Sequence, residues 1–108
     1  MSYNIIATPR FKKELKRLAK KYPSLKEEYS GLIEQLGNNP KSGTPIGHDC
    51  YKIRLSIASK GKGKSAGARV ITYVYIDETT VFLISIYDKS EKSNINNSEL
   101  LQLLKEIE

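Results

Sequence analysis

The chain has 108 residues and a mass of 12.2 kDa, which suffices for one domain around one hydrophobic core and excludes a second catalytic domain. Hydrophobic residues make up 39% of the sequence and charged residues 28%, which excludes both a disordered chain and a membrane protein. The formal charge of +6 favours an anionic partner: RNA, DNA or an acidic protein. We therefore expect a single domain over residues 1–108, located in the cytoplasm.

Residues 3–7 are β-prone and predict a short first strand. Thr8 and Pro9 then supply a helix N-cap and a proline at the first helical position, which together mark the start of a helix. Because apolar residues recur behind them at helical spacing, the sequence predicts an amphipathic helix over residues 9–21.

A second helix is predicted after a Tyr-Pro break. Ser24, with Glu27 three residues later, has the form of a capping box, and apolar residues then recur at helical spacing until Gly37. The short connection predicts that the two helices form a hairpin. Residues 37–50 are rich in Gly and Pro and predict a loop.

The hydrophobic period changes to two after this loop, which predicts β-structure. Residues 51–58 alternate between apolar and polar side chains, and two further runs, residues 69–76 and 81–87, are rich in β-branched and aromatic residues. Residues 96–98 then cap a last helix whose leucines are expected to pack on the core. The predicted fold class is α+β in the order β-α-α-β-β-β-α, with an antiparallel-dominated sheet and the helical hairpin on one face.

The positive charge is concentrated in two segments of the chain. Residues 10–21 carry seven basic residues against Glu14, and the helical period there predicts that most of these groups face solvent without a dedicated ligand. Residues 52–69 carry six basic residues and no acid, and their glycines let the backbone and the lysines approach a ligand closely. The second segment, between two predicted strands, is therefore the candidate binding site for a polyanion.

The residue types of this segment suit the cleavage of RNA by its own 2′-hydroxyl. That reaction needs a base for the 2′-oxygen, positive charge for the developing phosphorane and an acid for the leaving 5′-oxygen. A lysine crowded by other cations suits the base, and arginine clamps the phosphate. Tyr87 or Tyr73 would stack on a nucleobase or donate a proton. The other candidates, from the segment and from the strand ends beside it, are Lys52, Arg54, Lys60, Lys62, Lys64, Arg69, Lys89 and Lys92.

Neither a metal site nor a nucleotide-binding loop is expected. Cys50 and His48 are two ligands short of a closed zinc site, and Cys50, the only cysteine, cannot form an internal disulfide. Residues 58–65 match a relaxed phosphate-binding-loop pattern, but a β pattern follows where that loop needs the start of a helix. We therefore expect no metal and no small-molecule cofactor.

The basic segment and the last strand carry four motifs in a characteristic order and spacing. They are Tyr51-Lys52-Ile53-Arg54, Ser59-Lys60-Gly61-Lys62-Gly63-Lys64, Gly67-Ala68-Arg69-Val70-Ile71-Thr72-Tyr73 and Ile86-Tyr87-Asp88-Lys89-Ser90-Glu91. With them the chain resembles, over nearly its whole length, the HigB-like branch of the RelE/ParE toxin superfamily. The resemblance implies the compact microbial-ribonuclease fold of RelE and a type II toxin that cuts mRNA in the ribosomal A site without metal.

The resemblance also implies partners and residue roles. A cognate antitoxin of the helix-turn-helix type would neutralise the toxin, and the ribosome and mRNA would be its targets. Arg69 falls on the phosphate-clamping arginine, and Lys89 falls on the basic residue after the last strand. RelE proper has a catalytic tyrosine where this chain has Ile95, and Tyr87 is the candidate substitute. The predicted catalytic set is Lys60, Lys62, Lys64, Arg69, Tyr87 and Lys89, and the predicted RNA-binding set is Lys52, Arg54, Tyr73 and Lys92.

Two other functions stay open on the sequence. The ParE branch shares the fold but poisons DNA gyrase and lacks the basic catalytic set, so the basic residues of this chain argue against that branch. A non-catalytic RNA-binding module would keep the same basic patch for phosphate contacts without a group for proton transfer.

Overall fold

The computed structural model describes residues 3–60, with Lys60 described by its backbone only, and residues 67–107. Within these residues the elements follow one another in the order β-α-α-β-β-β-β-α. No described helix is long and apolar enough to cross a membrane. The bounds of the elements are β1 Asn4–Ala7, α1 Pro9–Lys21, α2 Leu25–Asn38, β2 Thr44–Gly47, β3 Cys50–Leu55, β4 Ala68–Tyr75, β5 Thr80–Asp88 and α3 Asn97–Lys105.

The strands form one sheet in the order β1-β5-β4-β3-β2. β1 runs parallel to β5 and the other strand pairs are antiparallel, so the predicted α+β fold with an antiparallel-dominated sheet is confirmed. The loop predicted over residues 37–50 is wrong in part, because it contains the edge strand β2. His48 and Asp49 have φ values of 56° and 61°, and two such residues close the tight turn that brings β2 back onto β3.

Thr8 caps α1, as the sequence predicts, and also ties this helix to the sheet. Its hydroxyl accepts a hydrogen bond from the Phe11 N–H at 3.2 Å and donates one to the Leu83 carbonyl at 3.0 Å. The Thr8 N–H donates to the same carbonyl at 3.0 Å. The start of α1 is therefore fixed against β5, a strand that carries part of the candidate site.

The capping box predicted for α2 is wrong. The Ser24 hydroxyl accepts no hydrogen bond from its own helix; it accepts one from the Ser59 N–H at 2.9 Å and lies 3.2 Å from the Glu28 carboxylate, to which it donates. The other Glu28 oxygen accepts a hydrogen bond from the Ala58 N–H at 2.6 Å. Because Ser59 and Ala58 follow β3, 35 and 30 residues along the chain from the groups that they bind, sequence spacing near the helix could not show them. The start of α2 holds the residues that lead from β3 into the lysine-rich segment.

Each face of the sheet buries its own apolar core. α1 and α2 cover the hairpin face, where Phe11 and Leu18 pack in the same cluster as Val70. α3 covers the opposite face, named here the α3 face, where Leu100 packs in the same cluster as Ile71. Val70 and Ile71 are successive residues of β4, and they point to opposite faces because strand side chains alternate. This alternation decides which residues of β3, β4 and β5 are left for a functional surface.

α3 begins with the cap that residues 96–98 predict. The Asn96 side chain accepts a hydrogen bond from the Glu99 N–H at 2.8 Å, and the Glu99 carboxylate accepts one from the Asn96 N–H at 3.2 Å. Glu99 also forms an ion pair with Lys92. At the other end of the helix, Glu106 accepts two hydrogen bonds from Arg10, each at 2.7 Å. These contacts hold α3 beside β5, where it forms one wall of the candidate site.

Candidate functional site

Three predicted site residues lie side by side on neighbouring strands. Arg54 of β3 is the register partner of Arg69 of β4, and Arg69 is the register partner of Tyr87 of β5. Register partners in antiparallel strands project to the same face with their Cβ atoms about 5 Å apart. Arg54, Arg69 and Tyr87 are named here the basic row. Because Tyr87 belongs to the core under α3, the basic row lies on the α3 face.

Three lysines flank the basic row, and each already contacts a group of the protein. Lys52 lies two residues before Arg54 on β3, and its Nζ donates a hydrogen bond to the Asn94 side-chain oxygen at 3.2 Å. The Lys89 Nζ donates to the Ser93 carbonyl at 2.7 Å. Lys92 forms its ion pair with Glu99. The lysines thus organise the segment after β5 and keep positive charge at the end of the sheet.

The two arginines of the row differ in depth. Arg54 is exposed, whereas Arg69 is only 4% exposed, and its Nη1 donates a hydrogen bond to the Ala68 carbonyl at 3.1 Å. A phosphate in solution can reach Arg54 directly. It can reach Arg69 only if the guanidinium becomes more accessible than it is in this structure. A buried guanidinium attracts an anion more strongly than an exposed one, because water screens it less.

Tyr87 is 7% exposed, and its hydroxyl has no hydrogen-bond partner within the described part of the chain. Burial raises the pKa of Tyr87; the Arg69 guanidinium acts in the opposite direction, and the Glu99 carboxylate adds a smaller increase. The hydroxyl therefore keeps its proton at neutral pH and is available as a donor. A buried hydroxyl without a partner costs about 1–3 kcal/mol, and a catalytic role is one of the explanations for such a group.

A cavity of about 380 Å³ lies between β5 and α3, next to the basic row. Tyr87 and Ile95 both line this cavity. The other lining residues are Arg10, Ser85, Lys92, Ser98, Glu99, Gln102 and Leu103.

The match to a family of known proteins covers almost all of the chain. The model of the family described as the RelE toxin of the RelE/RelB toxin-antitoxin system matches residues 9–107. This chain belongs to the RelE toxin family.

Solved structures share the fold of this RelE-family protein. A double arginine-to-alanine mutant of the E. coli toxin RelE in the free state has a TM-score of 0.67 and 24% identity, over 94% of this chain and 97% of that chain. The intact E. coli RelBE toxin-antitoxin complex contains a chain with a TM-score of 0.59 and 26% identity, over 81% and 96% of the two chains. The RelBE2 toxin-antitoxin complex of Mycobacterium tuberculosis contains a chain with a TM-score of 0.62 and 15% identity, over 82% of this chain and 92% of that chain. The predicted RelE-like fold is confirmed, and the HigB-like branch stays a prediction.

The three lysines predicted to be catalytic in this RelE-family protein fall on the segment between β3 and β4. The backbone of Lys60 ends a short 3₁₀ turn, Ala58–Lys60. Lys62 and Lys64 lie outside the described residues. Leu55 and Ala68, which face each other in the register, bring the two ends of this segment to the end of the sheet that carries the basic row.

Tyr73, predicted to bind RNA, lies away from the basic row in this RelE-family protein. It is on the α3 face but four residues along β4 from Arg69, roughly 13 Å at the usual rise of a strand. Its ring stacks on Phe82 with centroids 6.1 Å apart and contacts Tyr75 at 6.3 Å. Tyr73 therefore belongs to an aromatic patch at the far end of α3, and the structure does not bring it to the other predicted residues.

Asp88 and Tyr22 support the site, and sequence reasoning missed both. Asp88 ends β5, is fully buried, and accepts hydrogen bonds from the Tyr22 hydroxyl at 2.7 Å and from the Ser90 N–H at 2.9 Å. These bonds fix the residue after Tyr87 to the end of α1 and to the turn that carries Lys89. A carboxylate at the end of an apolar strand was the only signal for this role in the sequence.

Glu14 is a third residue that sequence reasoning missed, and it closes an open edge of the sheet. β1 pairs with β5 only as far as Leu83, and beyond that point one Glu14 oxygen accepts hydrogen bonds from the Ser85 hydroxyl at 2.9 Å and from the Ile86 N–H at 3.3 Å. Burial raises the pKa of Glu14, which these two hydrogen bonds only partly offset. The one sign of this role in the sequence is that Glu14 is the only acidic residue of the strongly basic helix α1.

His48 and Cys50 lie together at the turn between β2 and β3, away from the basic row. His48 is exposed, whereas Cys50 is buried and its thiol contacts the His48 carbonyl at 3.4 Å. Burial raises the pKa of Cys50 to about 12, so the thiol is inert at neutral pH. Of the residues that the structure describes, no three His, Cys, Asp or Glu side chains form a group that could hold a metal ion.

Proposed function

We propose that this RelE-family protein is the toxin of a type II toxin-antitoxin system that cleaves mRNA in the ribosomal A site and so stops translation. The observation that carries the proposal is the basic row, in which two arginines and a tyrosine from three strands meet on one face. Membership of the RelE toxin family supports it. The cleavage needs no metal and no small-molecule cofactor, and it takes place in the cytoplasm, where ribosomes are.

The proposed reaction uses the 2′-hydroxyl of the RNA itself. The 2′-oxygen gives its proton to a base and attacks the adjacent phosphorus, which passes through a phosphorane. The bond between phosphorus and the 5′-oxygen then breaks, and that oxygen takes a proton from an acid. One fragment ends in a 2′,3′-cyclic phosphate and the other begins with a 5′-hydroxyl. The protein supplies the two proton transfers and the positive charge.

The basic row supplies charge and a proton donor. Arg54 and Arg69 stay charged and offer paired N–H donors that match two phosphate oxygens. Because burial keeps Tyr87 protonated, its hydroxyl suits donation to the leaving oxygen rather than removal of the 2′-proton. The base is assigned to one of the three lysines on the segment between β3 and β4, as the family resemblance implies.

The partners follow from the same proposal. The RelBE and RelBE2 structures are complexes of a toxin with its antitoxin, and we infer that this chain likewise has a cognate antitoxin, of the helix-turn-helix type. The ribosome presents the mRNA to the basic row. Lys52, Lys89 and Lys92 would then contact the RNA backbone once they exchange their present partners within the protein for phosphates.

Site-directed variants in a reconstituted translation reaction test the proposal, with mRNA ends mapped by primer extension. Arg69→Ala should lower the cleavage rate by about 10²-fold or more, because a buried charged donor is lost from the developing phosphorane. Arg69→Lys keeps the charge but not the paired donors, and should lower the rate at least about tenfold. Replacement of Lys60, Lys62 and Lys64 by alanine together should abolish cleavage.

Arg17→Ala is the matched control, because it removes the same charge from an exposed side chain of α1. Its cleavage rate should stay within about twofold of the wild type, as expected for an exposed ion pair. Circular dichroism spectra must show that each variant folds. Full activity of a folded Arg69→Ala variant would refute the proposed role of the basic row. If the wild-type protein leaves mRNA intact and blocks DNA supercoiling by gyrase, the ParE activity replaces the proposed function.

A non-catalytic RNA-binding protein is the second candidate function. The burial of Arg69 favours it, as do the bonds of Lys89 and Lys92 to groups of the protein and the presence of Ile95 where RelE proper has a tyrosine. In that case the protein would bind RNA with a steep dependence on salt and would leave every phosphodiester bond intact.

A further inference from the structure

The cavity between β5 and α3 holds hydrogen-bonding groups that have no partner in the described part of the protein. Ser85, Tyr87 and Leu103 line it and are buried, whereas Ser98 and Gln102 line it and are exposed, which places its mouth along α3. The side chains of Tyr87, Ser98 and Gln102 form no hydrogen bond with another described residue. Their donors and acceptors are therefore available to a ligand in the cavity.

The charges that line the cavity are already neutralised. Arg10 forms an ion pair with Glu106 at 2.7 Å, and Lys92 forms one with Glu99. An anion would therefore have to displace a carboxylate from either cation before it could bind there. In this respect the cavity differs from the basic row beside it, and it suits a neutral ligand with polar edges.

A nucleobase has this chemistry. It is neutral, its flat faces pack against side chains such as Ile95 and Leu103, and its edge carries hydrogen-bond donors and acceptors. The volume of about 380 Å³ is near the lower end of the range for ligand cavities, which suits a single base. The Gln102 amide offers a donor and an acceptor side by side, the pattern with which side-chain amides recognise the edge of a base.

The position of the cavity places it within reach of a base whose phosphate lies at the arginines. The described residues that line the cavity come from α1, β5, the segment after β5 and α3, and none of them comes from β3 or β4. Arg69 lies on β4, and the next strand of the sheet is β5, which borders the cavity. Because neighbouring strands are about 4.8 Å apart, the cavity begins about one strand spacing from Arg69, a distance that one ribose can span.

Tyr87 relates the cavity to one side of the bond that is cut. In the proposed reaction its hydroxyl protonates the leaving 5′-oxygen, which belongs to the nucleotide on the 3′ side of the cut. Tyr87 also lines the cavity. The nucleotide whose oxygen contacts Tyr87 is therefore the one whose base lies nearest to the cavity.

We propose that the cavity between β5 and α3 binds the nucleobase on the 3′ side of the cut, and that Gln102 and Ser98 determine which base is preferred there. The inference rests on the proposed RNA cleavage and adds a base preference to it. Gln102 and Ser98 are four residues apart on α3, so they present their polar groups on the same side of the helix.

The test compares synthetic mRNAs that differ only in the nucleotide on the 3′ side of the mapped cut. Four of them carry the four bases there, and a fifth carries an abasic nucleotide. In the reconstituted translation reaction, the wild-type protein should cut the preferred mRNA at least about tenfold faster than the least preferred one, as expected for paired hydrogen bonds to a base edge. It should also cut the abasic mRNA at least about tenfold more slowly than the preferred one, because the binding energy of the base is lost.

Substitutions of Gln102 then connect this preference to the cavity. Gln102→Ala removes the amide and keeps a good helix former, so the rates for the four bases should lie within about threefold of one another. Gln102→Trp blocks the mouth of the cavity, so the abasic mRNA should be cut as fast as the others. Gln35→Ala and Gln35→Trp are the matched controls, since Gln35 is an exposed residue of α2, which packs on the hairpin face. They should keep the wild-type preference, and all four variants must keep the wild-type circular dichroism spectrum.

The outcomes separate this proposal from the proposed function. If the wild-type protein cuts the abasic mRNA as fast as the other four, no base occupies the cavity; the proposal is then refuted while the cleavage activity stands. If the folded Gln102 variants keep the wild-type preference, the base is recognised elsewhere and the proposal is again refuted. If Gln102→Ala alters the preference on the 5′ side of the cut instead, the assignment to the 3′ side is wrong. If the wild-type protein cuts none of the mRNAs, the proposed function fails, and this inference fails with it.

Discussion

Gly67 lies between the lysine-rich segment and β4, and it allows β3 and β4 to approach each other closely. It is buried, and a Cβ atom placed there would lie 2.2 Å from the Leu55 carbonyl oxygen and 3.1 Å from the Leu55 carbonyl carbon. These are backbone atoms, so no side chain can rotate away. Contact distances become ordinary only at 3.4 Å, so Gly67→Ala must push β3 and β4 apart by roughly 1 Å at this point.

This displacement should destabilise the protein by about 1–3 kcal/mol, the usual cost of overpacking, and should lower its Tm by roughly 5–15 °C. Urea denaturation followed by circular dichroism measures the change. Gly31→Ala is the matched control: Gly31 lies inside α2, is exposed, and a Cβ atom there has nothing within 4 Å. The same chemical change should there stabilise the protein by about 0.5–1 kcal/mol, because alanine favours a helix over glycine.

Gly67→Ala should also reduce RNA cleavage, since Gly67 is two residues from Arg69. A shift of about 1 Å between reacting groups can cost 10²-fold in rate. The cleavage assay is run at a temperature where both variants are folded. A Gly67→Ala variant as stable as the wild type, or a folded and fully active one, would refute the reasoning from the close approach of the two strands.

Three further predictions concern buried polar groups. Because burial raises the pKa of Glu14 above 4.5, the folded state holds this proton more tightly than the unfolded chain does, so Glu14 lowers stability as pH rises from about 4.5 through the folded pKa. Glu14→Gln lacks this titration, and its free energy of unfolding relative to the wild type should rise over that pH range in urea denaturation; a constant difference would contradict this. Tyr22→Phe removes a hydrogen bond to the buried Asp88 and should cost about 1–3 kcal/mol in the same experiment, and no change would show that the bond contributes nothing. Cys50, buried and with its pKa raised to about 12, should react with Ellman's reagent at pH 8 only after denaturation; rapid labelling of the native protein would contradict its burial.

The sequence predicted the elements whose signals are local. The Thr8 cap and the helical period determine α1, whose predicted range of residues 9–21 is the one observed. The alternation of apolar residues likewise predicted β3, and the content of β-branched and aromatic residues predicted β4 and β5, all to within three residues at their ends. β2 and the start of α2 could not be predicted in this way, because β2 depends on two residues with positive φ and Ser24 finds its partner 35 residues away.

In the candidate site too, features with local signals were predictable and features that depend on distant contacts were not. The meeting of Arg54, Arg69 and Tyr87 was predictable, because they lie near the ends of strands that are connected as hairpins. Neither the burial of Arg69 nor the contact of Tyr22 with Asp88 could be predicted, since both depend on packing between residues far apart in the chain; Tyr22 and Asp88 are 66 positions apart.

The most direct test of RNA cleavage through the 2′-hydroxyl is a single substitution in the mRNA. The cleavage site is first mapped in a reconstituted translation reaction, and the mRNA is then synthesised with a 2′-deoxynucleotide on the 5′ side of that bond. We expect the wild-type protein to cut the unmodified mRNA into fragments with a 2′,3′-cyclic phosphate and a 5′-hydroxyl, and to leave the modified mRNA intact at that bond. Equal cleavage of the two mRNAs would contradict the mechanism, and no cleavage of either would contradict the proposed activity.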